Sequence, residues 1–422
     1  IEGDIGKSVS FFSSFAENQA IFPNYLDAKI RQTKVVPGQG YARDFKETGF
    51  DYAMASGYVG IKPAKHFLVQ FGHGKHFIGD GYRSLLLSDN AFNYPFLRIQ
   101  TSFWRVQYTN LYAEMQDINY FENNGIDNYD QMGYAKKYMS SHYLSTNVTS
   151  KLNIGIFESV IWRVNHAPGA RGFDVNYLNP IALFRPLEYS INSPDNALVG
   201  INAKYKLPLK SYFYGQLVLD EFSLNEMKSG NDWYGSKYGY QLGAKMYDAI
   251  GLENLTLQAE YNLVRPYTYA HHDHRQNYAH YNQPLAHPLG ANFSEKLFII
   301  NYRKDRWVAR AQIMMAKYGD KIKGDPTSYG KDIYMSTGEF EEPSGFIHAG
   351  RPSDFGIAMY QGNLTKINYL QLNIGYLINP SINFKIDFSI VKRDLVSESD
   401  EVNTIFYSIG LKTDLFNHYY DF

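Results

Sequence analysis

The chain has 422 residues and no cysteine, and its 41 Lys and Arg residues nearly balance its 42 Asp and Glu residues. The near-zero net charge excludes the basic face that nucleic-acid binding requires and a polybasic patch for anionic lipid, and the lack of cysteine excludes disulfides and thiolate metal sites. Mean hydropathy is -0.39 and no apolar run approaches the ~20 residues that a transmembrane helix needs, which excludes a helical membrane protein.

Aromatic residues are the strongest compositional signal, with 37 Tyr, 28 Phe and 4 Trp. A tyrosine ring has an apolar body and a polar hydroxyl, so it suits the membrane interface, where outer-membrane barrels carry two aromatic girdles. A tyrosine-rich soluble β-protein or a carbohydrate-binding protein would have a similar composition. Aromatic content alone therefore leaves these classes open.

The first predicted elements are a strand over residues 8–17 and a short helix within residues 20–36. Pro23 opens the helical segment, and Leu26 and Ile30 lie four residues apart. Proline is favoured in the first turn of a helix, and apolar residues four apart share one helix face. We expect this helix to lie in the lumen or at the rim of a barrel.

The next segment, 72–83, is rich in glycine and contains Lys75. It lacks the GxxxxGKS or GxxxxGKT spacing of a phosphate-binding loop. Glycine permits close backbone approach, so we interpret this segment as a place where a strand bends into a barrel lumen.

Most of the remaining chain alternates between apolar and polar residues. In the run 382–390, for example, Lys385 and Asp387 occupy the polar face between apolar neighbours. Such runs are about ten residues long, which matches the ~9–11 residues of a tilted strand crossing a bilayer and exceeds the ~5–6 of an average soluble strand. The clearest runs are 199–206, 255–263, 307–313, 370–376, 382–390 and 405–412. This pattern predicts an all-β, antiparallel transmembrane β-barrel of the bacterial outer membrane.

Short links alternate with long polar loops along the chain. Barrels of this class have short periplasmic turns and long extracellular loops. Counting hairpins gives about 16 strands, and segments 355–361 and 164–190 could contribute another pair, so we expect 16–18 strands in one domain over 1–422. The predicted long loops are 75–93, 117–132, 164–194, 223–236, 265–295, 319–352 and 393–402. We expect the segment 164–194 and the N-terminal helix to plug part of the lumen.

The chain ends in Phe422, with aromatic residues two and six positions before it. This resembles the sorting signal at the end of the last strand of an outer-membrane barrel. The alternation of 405–411 continues to Phe422 only if a bulge lies near residues 412–415.

The loop 265–288 is the candidate for two kinds of binding, of a metal ion and of a polysaccharide. It contains five histidines and Asp273, but no HExxH or regularly spaced ligand pattern, so we predict no metal and no cofactor. Its tyrosine rings, amides and arginine suit polysaccharide contact; the alternative is an ordered polar loop folded into the barrel mouth. The candidate polysaccharide-binding residues are Tyr267, Tyr269, Tyr278, Tyr281, Asn282 and Arg275.

A set of charged residues is expected to line the lumen. Such residues hold inner loops in place, and arginine forks could also bind an acidic sugar. This predicted charge cluster consists of Asp80, Arg83, Arg163, Arg171, Arg185, Glu188 and Asp195. The chain has no GxSxG motif and nothing selects a catalytic triad, so we predict no catalytic residues and no enzyme.

Four strings resemble the Wzi-type capsule assembly proteins of the outer membrane, in the branch from Bacteroidota that includes RemB-like gliding-motility proteins. They are HGKHFIGDGYRSLLLSDNA (73–91), TSFWRVQYTNLYAEMQD (101–117), YLNPIALFRPLEYSINSPDNALVGINAKYK (177–206) and NYAHYNQPLAHPLGAN (277–292). The resemblance implies an 18-stranded, largely plugged barrel without catalytic residues that retains capsular polysaccharide at the cell surface.

The resemblance also allows a second role, as an accessory barrel of a gliding-motility or type 9 secretion complex. A diffusion porin is a third possibility. The expected partners are therefore outer-membrane lipid, surface polysaccharide and other outer-membrane proteins, with no nucleic acid.

Overall fold

The computed structural model describes residues 1–122, 133–164, 172–180, 195–220, 230–341, 347–414 and 417–422. The strands of the first half are β1 Glu2–Ile5, β2 Val9–Ala20, β3 Arg43–Phe45, β4 Gly49–Ala64, β5 Phe67–Gly74, β6 Tyr94–Phe103, β7 Val106–Glu122, β8 Gly133–Asn147, β9 Leu152–Arg163, β10 Asn196–Leu207 and β11 Ser211–Leu219. The strands of the second half are β12 Tyr238–Tyr247, β13 Leu255–Val264, β14 Ala279–His280, β15 Gln283–Pro284, β16 Phe293–Lys304, β17 Trp307–Asp320, β18 Phe340–Glu341, β19 Ile347–His348, β20 Asn363–Asn379, β21 Phe384–Val396 and β22 Glu401–Lys412.

The predicted N-terminal helix is confirmed as α1, Asn24–Thr33, with Leu26 and Ile30 buried on one face. The described one-turn 3-10 helices are Val175–Leu178, Ala249–Gly251, His274–Gln276 and Pro380–Ile382. In the described ranges no helix combines the length and the hydrophobicity that crossing a bilayer would require.

Eighteen strands form one antiparallel sheet, so the expected 16–18 strands are confirmed. Apart from β3, each strand of the sheet pairs with the next strand of the sheet along the chain, in the order β1, β2, β4 to β13, β16, β17, β20, β21 and β22. The short strand β3 pairs with β4. The short ladders β14–β15 and β18–β19 lie in long loops outside the sheet. Residues 355–361, considered for an additional strand, contain none.

The sheet curves around a lumen. Ala16 of β2, Lys245 of β12 and Lys412 of β22 line the same cavity, although their strands are far apart in the sheet order. The protein therefore has the predicted fold, an outer-membrane β-barrel.

The outer face of the sheet is apolar, as the alternation predicts. Ile374 of β20, Phe388 of β21 and Ile409 of β22 are register neighbours and are 54%, 41% and 76% exposed. Contiguous exposed rows of this kind belong against lipid. Other strands expose large apolar side chains in the same way: Phe71, Ile156, Val199, Ile201, Phe213, Leu217, Leu242, Phe298, Ile300, Ile313 and Leu372.

The inner face carries a row of amide and carboxylate side chains across five successive strands, which we call the polar ladder. Its members are register partners and are all buried: Asn202, Gln216, Gln241, Asn262 and Glu295. Adjacent members bond to one another, as Gln241 Nε2 does to Asn262 Oδ1 at 3.0 Å and Asn262 Nδ2 to Glu295 Oε2 at 2.9 Å. Polar groups that water does not reach need such partners.

The turns at 104–105, 148–151, 208–210 and 305–306 lie at one end of the barrel, which we call the periplasmic end because short turns face the periplasm in this class. The long loops lie at the other, extracellular end. One predicted long loop, 393–402, is wrong, because β21 and β22 leave only residues 397–400 between them. The predicted loop 117–132 begins later than expected, because β7 continues to Glu122.

The prediction that the terminal aromatic residues belong to the last strand is also wrong. Strand β22 ends at Lys412, and residues 417–422 form no strand. Instead, these residues turn into the lumen, where Tyr419 and Asp421 are buried. Residues 415–416, which include part of the expected bulge, lie outside the described ranges.

Candidate functional site in and above the lumen

A segment that we call the strap, residues 75–93, enters the lumen where β5 ends at Gly74. Lumen-facing side chains of the wall bind its backbone. The Glu260 carboxylate accepts the N–H groups of Tyr82 at 2.8 Å and Arg83 at 3.1 Å, and Gln216 Oε1 accepts the N–H of Leu85 at 2.8 Å. Side chains of the barrel wall therefore accept hydrogen bonds from the strap backbone that a neighbouring strand would otherwise accept.

Glycine makes this close approach possible, as expected for the segment 72–83. A Cβ at Gly79 would lie 2.6 Å from Gln216 Nε2, and one at Gly81 would lie 2.5 Å from Glu260 Oε2. Gly79 also has a φ of +154°, which other residues rarely adopt. A larger residue at either position would push the strap off the wall.

Arg83 is the centre of a buried charge network. Its guanidinium pairs with the carboxylates of Glu295 at 3.0 Å and Asp421 at 2.9 Å. His287 Nε2 lies 2.9 Å from the other oxygen of Glu295. Because a buried charge is tolerated only when it is paired and hydrogen-bonded, this network ties the strap to β16 and to the C-terminal residues at once.

The C-terminal residues 417–422, which we call the tail, are fixed from several sides. The Tyr419 hydroxyl donates to Asp89 of the strap at 2.7 Å, and the Tyr25 hydroxyl of α1 donates to the Tyr420 carbonyl at 2.6 Å. Gln312 of β17 donates to the Asp421 carboxylate. The tail is therefore part of the plug.

The loop that we call the cap, residues 265–292, closes the lumen above the strap. Tyr267, Tyr269 and Tyr278 are fully buried in it, and their hydroxyls donate to backbone carbonyls, with Tyr269 reaching Leu85 and Tyr278 reaching Leu86 of the strap. Burial raises the pKa of each of these hydroxyls, so they stay protonated donors. Protein covers the three ring faces, and they cannot stack on a saccharide in this arrangement.

The histidines of the cap also serve packing. His280 Nδ1 accepts the N–H of Gln116 at 2.9 Å, and its Nε2 lies 3.1 Å from the Asn93 carbonyl, so the ring bridges β7 and the strap. Burial lowers the pKa of His280 to about 3, which keeps this ring neutral. Across the described ranges, no three His, Asp or Glu side chains are grouped as metal ligands.

The described members of the predicted charge cluster take part in separate contacts and do not form a single site. Asp80 pairs with Lys204 of β10, and Arg83 belongs to the buried network. Arg163 of β9 pairs with Asp273 of the cap at 2.6 Å, and Asp195 accepts the Tyr177 hydroxyl at 2.6 Å. The remaining members, Arg171, Arg185 and Glu188, and most of the segment 164–194, lie outside the described residues.

The rest of the predicted polysaccharide-binding set reaches the extracellular surface. Tyr281, Asn282 and Arg275 are partly exposed. The Tyr281 ring lies 4.8 Å from that of Phe92 and 6.2 Å from that of Tyr134, between ring centroids. The sequence had not pointed to Phe92 and Tyr134, because neither lies in the cap.

Amide groups border these rings. Asn282 and Asn119 exchange two hydrogen bonds of 2.8 and 2.9 Å, and Asn119 is exposed. We call Phe92, Asn119, Tyr134, Tyr281 and Asn282 together the aromatic patch. Ring faces beside amides are the groups that contact sugar rings and their hydroxyls.

No protein-family model matches the chain, and no curated protein matches it. Among solved structures, the chain is similar to Wzi of Escherichia coli, described as a carbohydrate-binding β-barrel of the outer membrane involved in group 1 capsule assembly. The two share 13% identity over 96% of this chain and 83% of Wzi, with a TM-score of 0.55.

Two further solved barrels match along most of the chain. OccAB2 of Acinetobacter baumannii shares 8% identity over 97% of this chain and 88% of its own, with a TM-score of 0.47. OprD of Pseudomonas aeruginosa shares 10% identity over 96% of this chain and 89% of its own, with a TM-score of 0.42. The similarity to Wzi supports the fold, that of a bacterial outer-membrane β-barrel.

Proposed function

We propose that this outer-membrane barrel is a non-enzymatic protein that binds or anchors a surface polysaccharide at its extracellular end. The observation that carries the proposal is the aromatic patch, which offers partly exposed rings and amides on the side where a capsule would lie. The likeness in fold to Wzi, a carbohydrate-binding barrel, is in agreement with this role.

The plug favours this role over that of a diffusion porin. The strap crosses the lumen on the polar ladder, and the cap and the tail pack against the strap. A solute would have to displace buried, hydrogen-bonded groups to pass. The other predicted role, as an accessory barrel of a motility or secretion complex, stays a prediction that co-purification in mild detergent would test.

Deleting the protein tests the proposal in cells. We expect polysaccharide to move from the cell surface into the medium, and the wild-type gene to restore retention. Unchanged surface polysaccharide in the deletion strain would contradict the proposed role.

Substitution of Tyr281 tests the aromatic patch. Tyr281→Ala removes a central ring and should weaken binding of the isolated polysaccharide to the purified barrel about tenfold, as truncation of an aromatic anchor does. Tyr281→Phe keeps the ring and should bind nearly normally. Trp104→Ala, which removes an exposed aromatic residue from a periplasmic turn, is the matched control. Equal affinity of all three variants would show that the patch is not the contact surface.

A further inference from the structure

A second binding site is suggested by a cavity of about 630 Å3 on the opposite side of the strap from the cap. Strap residues 75–80 form its roof, and its walls are the lumen faces of β6 to β10. Ser150 and Lys151 of the β8–β9 turn lie at its mouth, so it opens at the periplasmic end. Its volume falls within the ~300–1,000 Å3 that is usual for small-ligand sites.

The lining of this cavity is strongly cationic. It includes five cations against one carboxylate, Asp80, and that carboxylate is already paired with Lys204. The five are Lys75, Arg98, Lys151, Lys204 and Lys206. A cleft lined by one sign of charge concentrates ions of the opposite sign.

Arg98 is held against the wall by neutral partners. Its guanidinium donates to the neutral amides of Gln70 at 3.0 Å and Gln100 at 2.6 Å. These two bonds hold the planar guanidinium group against the wall and leave its positive charge unneutralised. No described carboxylate lies within ion-pair distance of Arg98. Such a fork matches the geometry of a carboxylate or phosphate group.

Two lysines stand together at the mouth. The backbone N–H of Lys206 donates to the Lys151 carbonyl at 2.9 Å, which brings the β8–β9 and β10–β11 turns side by side. Both side chains are exposed, and within the described ranges neither forms an ion pair. Between this pair and Arg98, the walls present uncharged hydrogen-bonding groups that suit sugar hydroxyls: Gln107, Thr109, Ser145, Asn147 and Asn153.

We propose that this cavity is a periplasm-facing site for an acidic saccharide, whose carboxylate or phosphate groups pair with Arg98 and the mouth lysines while its hydroxyls bond to the amide walls. The site is separate from the aromatic patch, and the proposal does not rest on extracellular binding. Because the strap closes the cavity above, the ligand enters and leaves from the periplasm.

The experiment uses the full-length barrel purified in detergent and three probes measured by titration calorimetry: trigalacturonate, neutral maltotriose and inorganic phosphate. We expect trigalacturonate to bind with an affinity that falls as salt rises, phosphate to bind more weakly, and maltotriose not to bind. Equal affinity for the acidic and neutral sugars would overturn the proposal. Phosphate binding as tightly as trigalacturonate would overturn the saccharide part.

Substitutions locate the site. Lys151→Gln with Lys206→Gln removes two exposed charges and should weaken trigalacturonate binding about fivefold. Arg98→Gln removes a partly buried fork and should weaken it about tenfold. The matched control, Lys65→Gln with Lys304→Gln, removes two exposed lysines, one in a short turn and one at the end of β16. Neither lines the cavity, so affinity should be unchanged.

Unchanged affinity in the cavity variants, with heat-dependent gel mobility showing that they are folded, would overturn the inference. Tyr281→Ala separates it from the proposed function. If this variant abolishes trigalacturonate binding, the acidic sugar uses the aromatic patch and the cavity proposal fails. If Tyr281→Ala still binds trigalacturonate but no longer binds the isolated surface polysaccharide, both proposals stand.

Discussion

Arg83 shows how one side chain comes to depend on distant parts of the chain. It lies 212 residues from Glu295 in sequence, and its second carboxylate partner, Asp421, belongs to the tail. Burying an ion is unfavourable unless opposite charges and hydrogen bonds surround it, and removing one partner leaves the other charges uncompensated. The sequence predicted that Arg83 faces the lumen, but not its partners.

Substitution of this arginine is therefore expected to be costly. Arg83→Gln should lower the free energy of unfolding by about 3–5 kcal/mol, because it leaves two buried carboxylates without their cation. Urea unfolding of the barrel in lipid vesicles measures the change. Lys65→Gln, at an exposed turn, should change stability by less than about 0.5 kcal/mol. An unchanged midpoint for Arg83→Gln would show that water, rather than Arg83, compensates these carboxylates.

At the scale of elements, the strands and the strap follow different rules. A strand such as β21 can be recognised from its sequence by the alternation of apolar and polar residues. Successive side chains point in turn to the lipid and to the lumen. The strap and the tail have no such period, because each residue meets a different part of the wall. The sequence indicated an inward bend near Gly79, yet it assigned the tail to a last strand. It also placed part of the sugar contact on three cap tyrosines, Tyr267, Tyr269 and Tyr278, that prove to be buried.

The strap and the tail should loosen together, because Asp421 and Asp89 connect them. The chain has no cysteine, so Ala91→Cys places one reporter thiol in the buried strap with little change of volume. We expect maleimide to label the introduced thiol slowly in this single variant. Adding Asp421→Asn should make labelling faster, on the order of tenfold, because losing a charged partner raises the fraction of molecules in which the strap is open. Asp400→Asn, in an exposed loop, is the control; equal rates in both double variants would contradict the coupling.

For the whole molecule, the plug predicts how the barrel responds to pH. His76 of the strap, His280 of the cap and His418 of the tail have pKa values lowered by burial to about 3, about 3 and about 4, from an ordinary value of 6.5. The folded plug therefore disfavours their protonated forms. Their contribution to stability is complete above pH 6.5 and is lost as the pH falls toward 4.

We accordingly expect planar bilayers to show little steady conductance at neutral pH and a reversible rise in current as the pH approaches 4. His280→Gln, which removes one of these buried protonation sites, should shift the rise in current to lower pH. Large steady currents at neutral pH would instead support the porin alternative. A current independent of pH would show that the histidines do not control the plug.

The sequence by itself determined the wall: an outer-membrane barrel with an apolar outer face, its approximate strand number, the short helix and the inward bend at the glycines. These features are local, because side-chain direction in a strand depends only on the position within that strand. Only the tertiary structure decided that the tail lies in the lumen, that three cap tyrosines are enclosed, and that Arg98 and the mouth lysines share one cavity. Each of these depends on which strands face one another across the lumen, and curvature of the whole sheet sets that arrangement rather than any short pattern of residues.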